Sequence, residues 1–111
     1  MPELNQYLHG FGIEKGLQLG NYILENVRGY HNTIEKYRRY EYHIEMVFIP
    51  QMSGINPNDL MSNLRQMTSG KRIINSAYGN PYECDFGNPD ITQIYPDGKV
   101  LISTVGHSHR V

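Results

Sequence analysis

Apolar residues in the first thirty positions recur at the spacing of one helix face. The first stripe comprises Leu4, Tyr7, Leu8 and Phe11. The second stripe comprises Ile13, Leu17, Leu24 and Val27. Because steps of three and four residues are typical of an amphipathic helix, both stripes predict N-terminal helices. Gly10 and Gly12 should separate the two helices, and Gly29 should end the second.

Two further signals in this region bear on the helix prediction. Gly16 and Gly20 lie four residues apart on the second stripe, which indicates either a close helix–helix contact or a weak, bent helix. We favour the bent helix, because each interior Gly costs about 1 kcal/mol relative to Ala and small-residue notches are a dependable contact signal only in membranes. Asn32 and Glu35 have the spacing of a capping box, which predicts a short helical turn.

Residues 40–50, YEYHIEMVFIP, change to a period of two. Even positions are apolar or aromatic, whereas odd positions are polar up to Glu45 and apolar from Val47. This alternation predicts one long strand, solvated on one side in its first half and covered on both sides in its second half. A helix would instead place Glu41 and Glu45 four residues apart as repelling neighbours. The strand predicts that Tyr42 faces the core.

Residues 56–70, NPNDLMSNLRQMTSG, carry the signals of an amphipathic helix. Asn56 is a preferred N-cap, Pro57 fits the first helical position and Asp59 complements the positive end of the helix dipole. Gly70 is placed to end the helix. The expected buried stripe comprises Leu60, Met61, Leu64 and Met67.

The last forty residues contain four short runs with high strand propensity, separated by turn residues. The runs are RIINS, YECDF, ITQIY and KVLISTV. They predict an antiparallel β-meander or a small barrel. The whole pattern therefore predicts an α+β fold in a single domain, residues 1–111: N-terminal helices, one long strand, an amphipathic helix and a C-terminal antiparallel meander or small barrel.

Composition and charge narrow the classes of function. The formal net charge is −1, so no global field draws the chain to nucleic acid or to anionic lipid. No apolar run approaches the ~20 residues that a membrane span requires, and the first residues lack the pattern of a signal peptide. The chain has one cysteine, Cys84, which suits a reducing compartment. We therefore expect a cytoplasmic protein that does not enter a membrane.

The candidates for catalytic or metal chemistry are few. Glu83 and Asp85 flank Cys84 and should disfavour the thiolate that a nucleophile needs, so we expect a packed core cysteine. His107 and His109 would lie on one strand face within reach of one metal ion, but a third ligand is not evident, and we expect exposed histidines without a metal. The glycines match neither phosphate-binding fingerprint. We expect no catalytic residues and no cofactor.

The aromatic composition favours an interaction protein. The chain has nine tyrosines, three phenylalanines and no tryptophan, and tyrosine and arginine are enriched at protein interfaces. The leading hypothesis is a non-enzymatic interaction protein that self-associates or serves as a small subunit or adaptor of a larger assembly.

The alternative hypothesis is a nucleic-acid-binding module. Single-strand binders combine cations with aromatic faces on which bases stack. The candidate binding residues are Arg28, Tyr30, Tyr37, Arg38 and Arg39. Against this hypothesis, several glutamates interleave with these residues and would repel phosphate.

Overall fold

The computed structural model describes residues 1–34 and 39–111, which contain two helices packed against one curled antiparallel sheet. The helices are α1 (Leu4–Gly10) and α2 (Pro57–Thr68). The strands are β1 (Gln18–Leu19), β2 (Tyr22–Ile34), β3 (Arg39–Pro50), β4 (Arg72–Asn75), β5 (Pro81–Asp85), β6 (Asp90–Ile94) and β7 (Val100–Arg110). The predicted α+β fold class is confirmed.

The strands follow the order β1-β2-β3-β7-β5-β4, and β6 also pairs with β7. β5 and β6 lie end to end along the same side of β7, since Asp85 is opposite His107 and Asp90 is opposite Ser103. The chain from β4 to β7 is thus the predicted meander with one interrupted strand. Among the described residues, β1 and β4 end the sheet without pairing with each other, so the sheet curls but stays open.

The hydrophobic core lies between the concave, inner face of the sheet and the two helices. On β3 the buried side chains are those of the even positions, Tyr42, Ile44, Met46 and Phe48. The helices contribute buried side chains that include Tyr7, Leu8, Phe11, Leu60, Met61 and Leu64. The alternation predicted for residues 40–50 is confirmed, because burying every second side chain of a strand covers one face of the sheet. The expected cover on both sides of the second half is wrong, since Val47 and Ile49 are only half-buried, like the odd positions before them.

A pair of buried tyrosines attaches α1 to the sheet. The rings of Tyr7 and Tyr42 stack with centroids 4.0 Å apart and planes 7° from parallel. The Tyr7 hydroxyl donates to the carbonyl of Asp85 and the Tyr42 hydroxyl to the carbonyl of Pro2, each over 2.5 Å. At Gly106 a Cβ would collide with the Tyr7 hydroxyl. Stacking and hydrogen bonding thus join the N-terminal segment to β3 and β5.

The second predicted helix is wrong. Its apolar stripe was Ile13, Leu17, Leu24 and Val27, but the structure has β1 and β2 in that region. Tyr22 and Leu24 are buried two residues apart, as in any half-buried strand. A β-bulge between Leu24 and Asn26 then inserts one residue, so that the next inward side chain is Val27. The resulting three-residue step imitates helical spacing in the sequence.

The other helical signals of this region are also wrong. Gly16 and Gly20 have positive φ angles of 93° and 57°, so they serve turns around β1 and do not form a helix notch. Residues 32–34 of the predicted capping box belong to β2, and Glu35 lies outside the described residues. A strand partner outweighs these local signals, since residues 32–34 pair with β3.

The amphipathic helix is confirmed as α2. The side chain of Asn56 accepts a hydrogen bond from the backbone N–H of Asn58 over 2.9 Å, and Pro57 is the first helical residue. Three of the four expected stripe residues are buried, and Met67 packs partly buried against them. The helix stops before Gly70, which has a φ of 78°.

The packing of Tyr42 generates a first prediction. Tyr42→Ala should lower the free energy of unfolding by about 3 kcal/mol or more, because it removes a fully buried ring that stacks on Tyr7. Arg39→Ala should change it by less than about 0.5 kcal/mol, because Arg39 is exposed. Urea unfolding of the two variants measures both values. Equal stability of Tyr42→Ala and the wild type would contradict the core assignment.

The buried hydroxyl of Tyr42 generates a prediction for alkaline pH. Burial raises the pKa of Tyr42 from 10.0 to about 12, so the unfolded chain loses this proton before the folded protein does. Stability from the neutral hydroxyl is complete below pH 10 and falls as the pH rises towards 12. The loss should reach about 1.4 kcal/mol per pH unit.

Tyr42→Phe cannot ionise and isolates this contribution. Between pH 10 and 12, urea unfolding of Tyr42→Phe should show a shallower decline than the wild type, even if its stability at pH 8 is lower. Parallel declines in the two proteins would show that Tyr42 ionises equally in both states.

Candidate protein interaction surface

β2 and β3 form a long antiparallel hairpin with one unpaired side. Their register runs from Tyr22 opposite Pro50 to Ile34 opposite Arg39. The far side of β3 is covered by β7. The far side of β2 pairs with β1 only at its first two residues, after which the Leu24 backbone bonds to the loop before β1. Along residues 26–34, the described part of the chain supplies no backbone partner on that side, and we name this segment the open edge.

Four residues direct their backbone groups outward from the open edge. In an antiparallel pair, alternate residues bond to the neighbouring strand and the others point away from it. The Leu24 N–H points away from β3, since it donates to the carbonyl of Leu17 over 2.8 Å. After the bulge the alternation moves by one residue. The outward N–H and C=O groups are therefore those of Val27, Gly29, His31 and Thr33.

The sequence of the open edge lacks the usual protection of an exposed strand. Natural edge strands are shielded by lysine, by proline, by inward charges or by a covering segment, because bare edges pair with other chains. The segment NVRGYHNTI contains no lysine, proline, aspartate or glutamate. Its single charge, Arg28, is bound by Glu45 of the neighbouring strand, with 2.6 Å between Nη2 and Oε2. The bulge lies at the start of the segment and leaves its pairing with β3 regular.

The outer face of the sheet beside the open edge carries a shallow groove. Its volume is about 460 Å³, and strands β2, β3 and β7 form its floor. The ring of Tyr30 stacks on His43 with centroids 4.8 Å apart and planes 6° from parallel. Tyr30 nonetheless remains 59% exposed. An aromatic ring in the middle of an unpaired edge is typical of a protein contact.

Histidines and carboxylates alternate across the rest of the outer face. His107 lies between Glu41 and Asp85 in the register, and its Nδ1 is 3.5 Å from Oδ1 of Asp85. His109 shares this face, as predicted from the spacing, and lies opposite Glu83. Both histidines are half-buried and not exposed as expected, because strands flank β7 on both sides here. Within residues 1–34 and 39–111, no group of three or more His, Cys, Asp or Glu side chains is positioned to hold a metal ion. The alternation instead places each of these two histidines opposite a carboxylate on a neighbouring strand.

Cys84 is a core residue, as expected. It is 1% exposed. Burial, followed by the charges of Asp85 and Glu83, raises the pKa of its thiol to about 12. The thiol is therefore neutral near pH 7 and is not activated as a nucleophile.

Three of the five residues predicted to bind nucleic acid lie on two strands. Arg28 and Tyr30 project from the outer face of β2, and Arg39 begins β3. Tyr37 and Arg38 lie outside the described residues. The guanidinium of Arg28 is already held by a carboxylate, and further carboxylates share its face, so the local charge does not favour phosphate. Nucleic-acid binding stays a prediction.

Comparison of the chain with protein-family models, with curated proteins and with solved structures found no match. Neither described helix has the length and apolar character needed to cross a membrane. The candidate site therefore rests on its geometry. The open edge was not predicted, because its strand was taken for a helix; the inward alternation of Tyr22 and Leu24 is the signal that could have revealed it.

The burial of Cys84 generates a third prediction. The native protein should react with a thiol reagent on the order of 100-fold more slowly than the urea-unfolded chain at the same pH, because reaction requires local opening. With an aromatic disulfide as the reagent, the absorbance of the thiolate that it releases measures both rates. Comparable rates would show that Cys84 is accessible in the folded protein.

Proposed function

We propose that this chain is a non-enzymatic interaction protein that self-associates by joining the open edge of β2 to the open edge of a second copy. The observation that carries the proposal is the nine-residue edge itself, with outward backbone groups and no protective residue. Adding a strand to such an edge supplies main-chain hydrogen bonds over its whole length. The product is one sheet that continues through both copies.

A second copy is the partner that best fits the chemistry of the edge. An antiparallel two-fold pair uses the same segment from both chains, which is the commonest geometry of homodimers. The segment contains one charge, so self-pairing opposes like charges only if Arg28 lies on the two-fold axis. Glu41 and Glu45 project from β3, one strand away from the contact. Glu25, which precedes the edge on β2, is paired with Lys99, with 3.3 Å between Oε2 and Nζ.

The state of the internal polar groups supports interaction in preference to catalysis. The buried hydroxyls of Tyr7 and Tyr42 donate to backbone carbonyls and hold the fold together. Burial raises the pKa of the Cys84 thiol, which keeps it neutral. These groups serve packing, whereas the open edge is the longest run of strand without a backbone partner in the described part of the chain.

Removing one outward N–H tests the proposal. The wild type should have twice the 12.8 kDa chain mass in light scattering after size exclusion at micromolar concentration. His31→Pro should dissociate on dilution with a Kd about 30-fold higher, because the dimer loses two backbone bonds of about 1 kcal/mol each. Proline is tolerated on an edge strand, so the monomer should stay folded.

His31→Ala is the matched control. It removes the same side chain but keeps the backbone N–H, so its mass profile should follow the wild type. A wild type that stays at 12.8 kDa over the whole range, or a His31→Pro variant that associates as tightly as His31→Ala, would refute strand pairing at this edge. Far-ultraviolet circular dichroism confirms that each variant is folded.

A further inference from the structure

We infer that the two-fold axis of the dimer passes through Tyr30, so that residues 26–34 of one copy pair with residues 34–26 of the other. This inference rests on the proposed function and specifies the contact that performs it. It assigns Tyr30 as the central residue of the interface, a role that its stacking on His43 within one copy does not require.

Backbone geometry limits the choice of register. A residue whose backbone N–H and C=O point away from β3 must pair with a residue of the same kind in the other copy. These residues are the odd positions from Val27 to Thr33. The axis must then coincide with a residue of the open edge. The central choices are Gly29, Tyr30 and His31.

The limits of the open edge select Tyr30 from these three. An axis at Gly29 would place Ile34 opposite Leu24, whose N–H and C=O are already bonded to Leu17 and Gly16. An axis at His31 would place the first two residues of the edge opposite residues 35 and 36, which lie outside the described part of the chain. An axis at Tyr30 pairs all nine residues of the open edge and requires no other segment to move.

The side chains are compatible with this register. Tyr30 bonds towards β3, so in the new pair it occupies a non-hydrogen-bonded site, where opposite Cα atoms approach to about 4.5 Å. Two stacked units then meet as a row of four rings, His43 and Tyr30 followed by the partner's Tyr30 and the partner's His43. Arg28 lies opposite the partner's Asn32, whose amide oxygen can accept from the guanidinium.

The inner face of the pair is equally complementary. Gly29 lies opposite the partner's His31, and both positions are exposed in one copy. A Cβ at residue 29 would collide with the His43 carbonyl, so the backbone of β3 lies close to Gly29. The absence of a side chain at Gly29 leaves room for the imidazole from the other copy. Large and small residues thus alternate across the axis.

Disulfide trapping tests the register. Tyr30→Cys should form a disulfide-linked dimer under mild oxidation, because non-hydrogen-bonded opposite positions have the Cα separation that a disulfide needs. Cys84 is buried and can stay in place. A mixture of Arg28→Cys and Asn32→Cys chains, which retains Tyr30, should give a cross-linked heterodimer. Each of these two variants alone should remain uncrosslinked, and non-reducing electrophoresis with mass spectrometry identifies each product.

The alternative registers give different products. Cross-linking of Arg28→Cys to Tyr30→Cys would place the axis at Gly29, and cross-linking of Tyr30→Cys to Asn32→Cys would place it at His31. Either result with a dimeric wild type would overturn the register and leave the proposed function standing. A monomeric wild type in light scattering would overturn both.

Discussion

The stack of Tyr7 on Tyr42 determines which part of the sheet is covered. It holds α1 over β3 and, through the Asp85 carbonyl, beside β5. The helix has only seven residues and cannot also extend over the far half of β2. The inner side chains of β2 after Val27 are consequently exposed, although the strand continues to Ile34. A short helix anchored to β3 and β5 leaves one end of the hairpin uncovered.

The bulge near Leu24 determines which side chains of that uncovered end lie on the outer face of the sheet. Without the extra residue, the even positions of β2 would continue to face inward, and Arg28 and Tyr30 would lie on the core side of the sheet. With the extra residue, the side chains of Arg28 and Tyr30 lie on the outer face of the sheet, beside Glu45 and His43. The bulge therefore places the polar and aromatic side chains on the solvent face and sets which backbone groups point away from β3.

The sequence correctly predicted those elements whose hydrophobic pattern matches the face that they bury in the fold. Alternation over residues 40–50 and the capped stripe over residues 56–70 both match the structure, because each element buries one regular face. β2 was missed because the bulge breaks its period and because its pairing is non-local. No local pattern records that β3 binds to both β2 and β7. The open edge could not be predicted for the same reason, since an edge is a property of the whole sheet.

The tyrosine excess, taken from composition as a sign of an interface, proves to have two physical origins. Among the described residues, four tyrosines belong to the buried core: Tyr7, Tyr22, Tyr42 and Tyr82. Burial explains why the chain uses tyrosine there, because the hydroxyls of Tyr7 and Tyr42 reach backbone carbonyls that phenylalanine could not satisfy. Tyr30 has no such constraint: its ring lies on another ring, largely exposed, beside unpaired backbone groups. The number of tyrosines therefore says little about an interface, whereas the position of Tyr30 beside the open edge adds support to one.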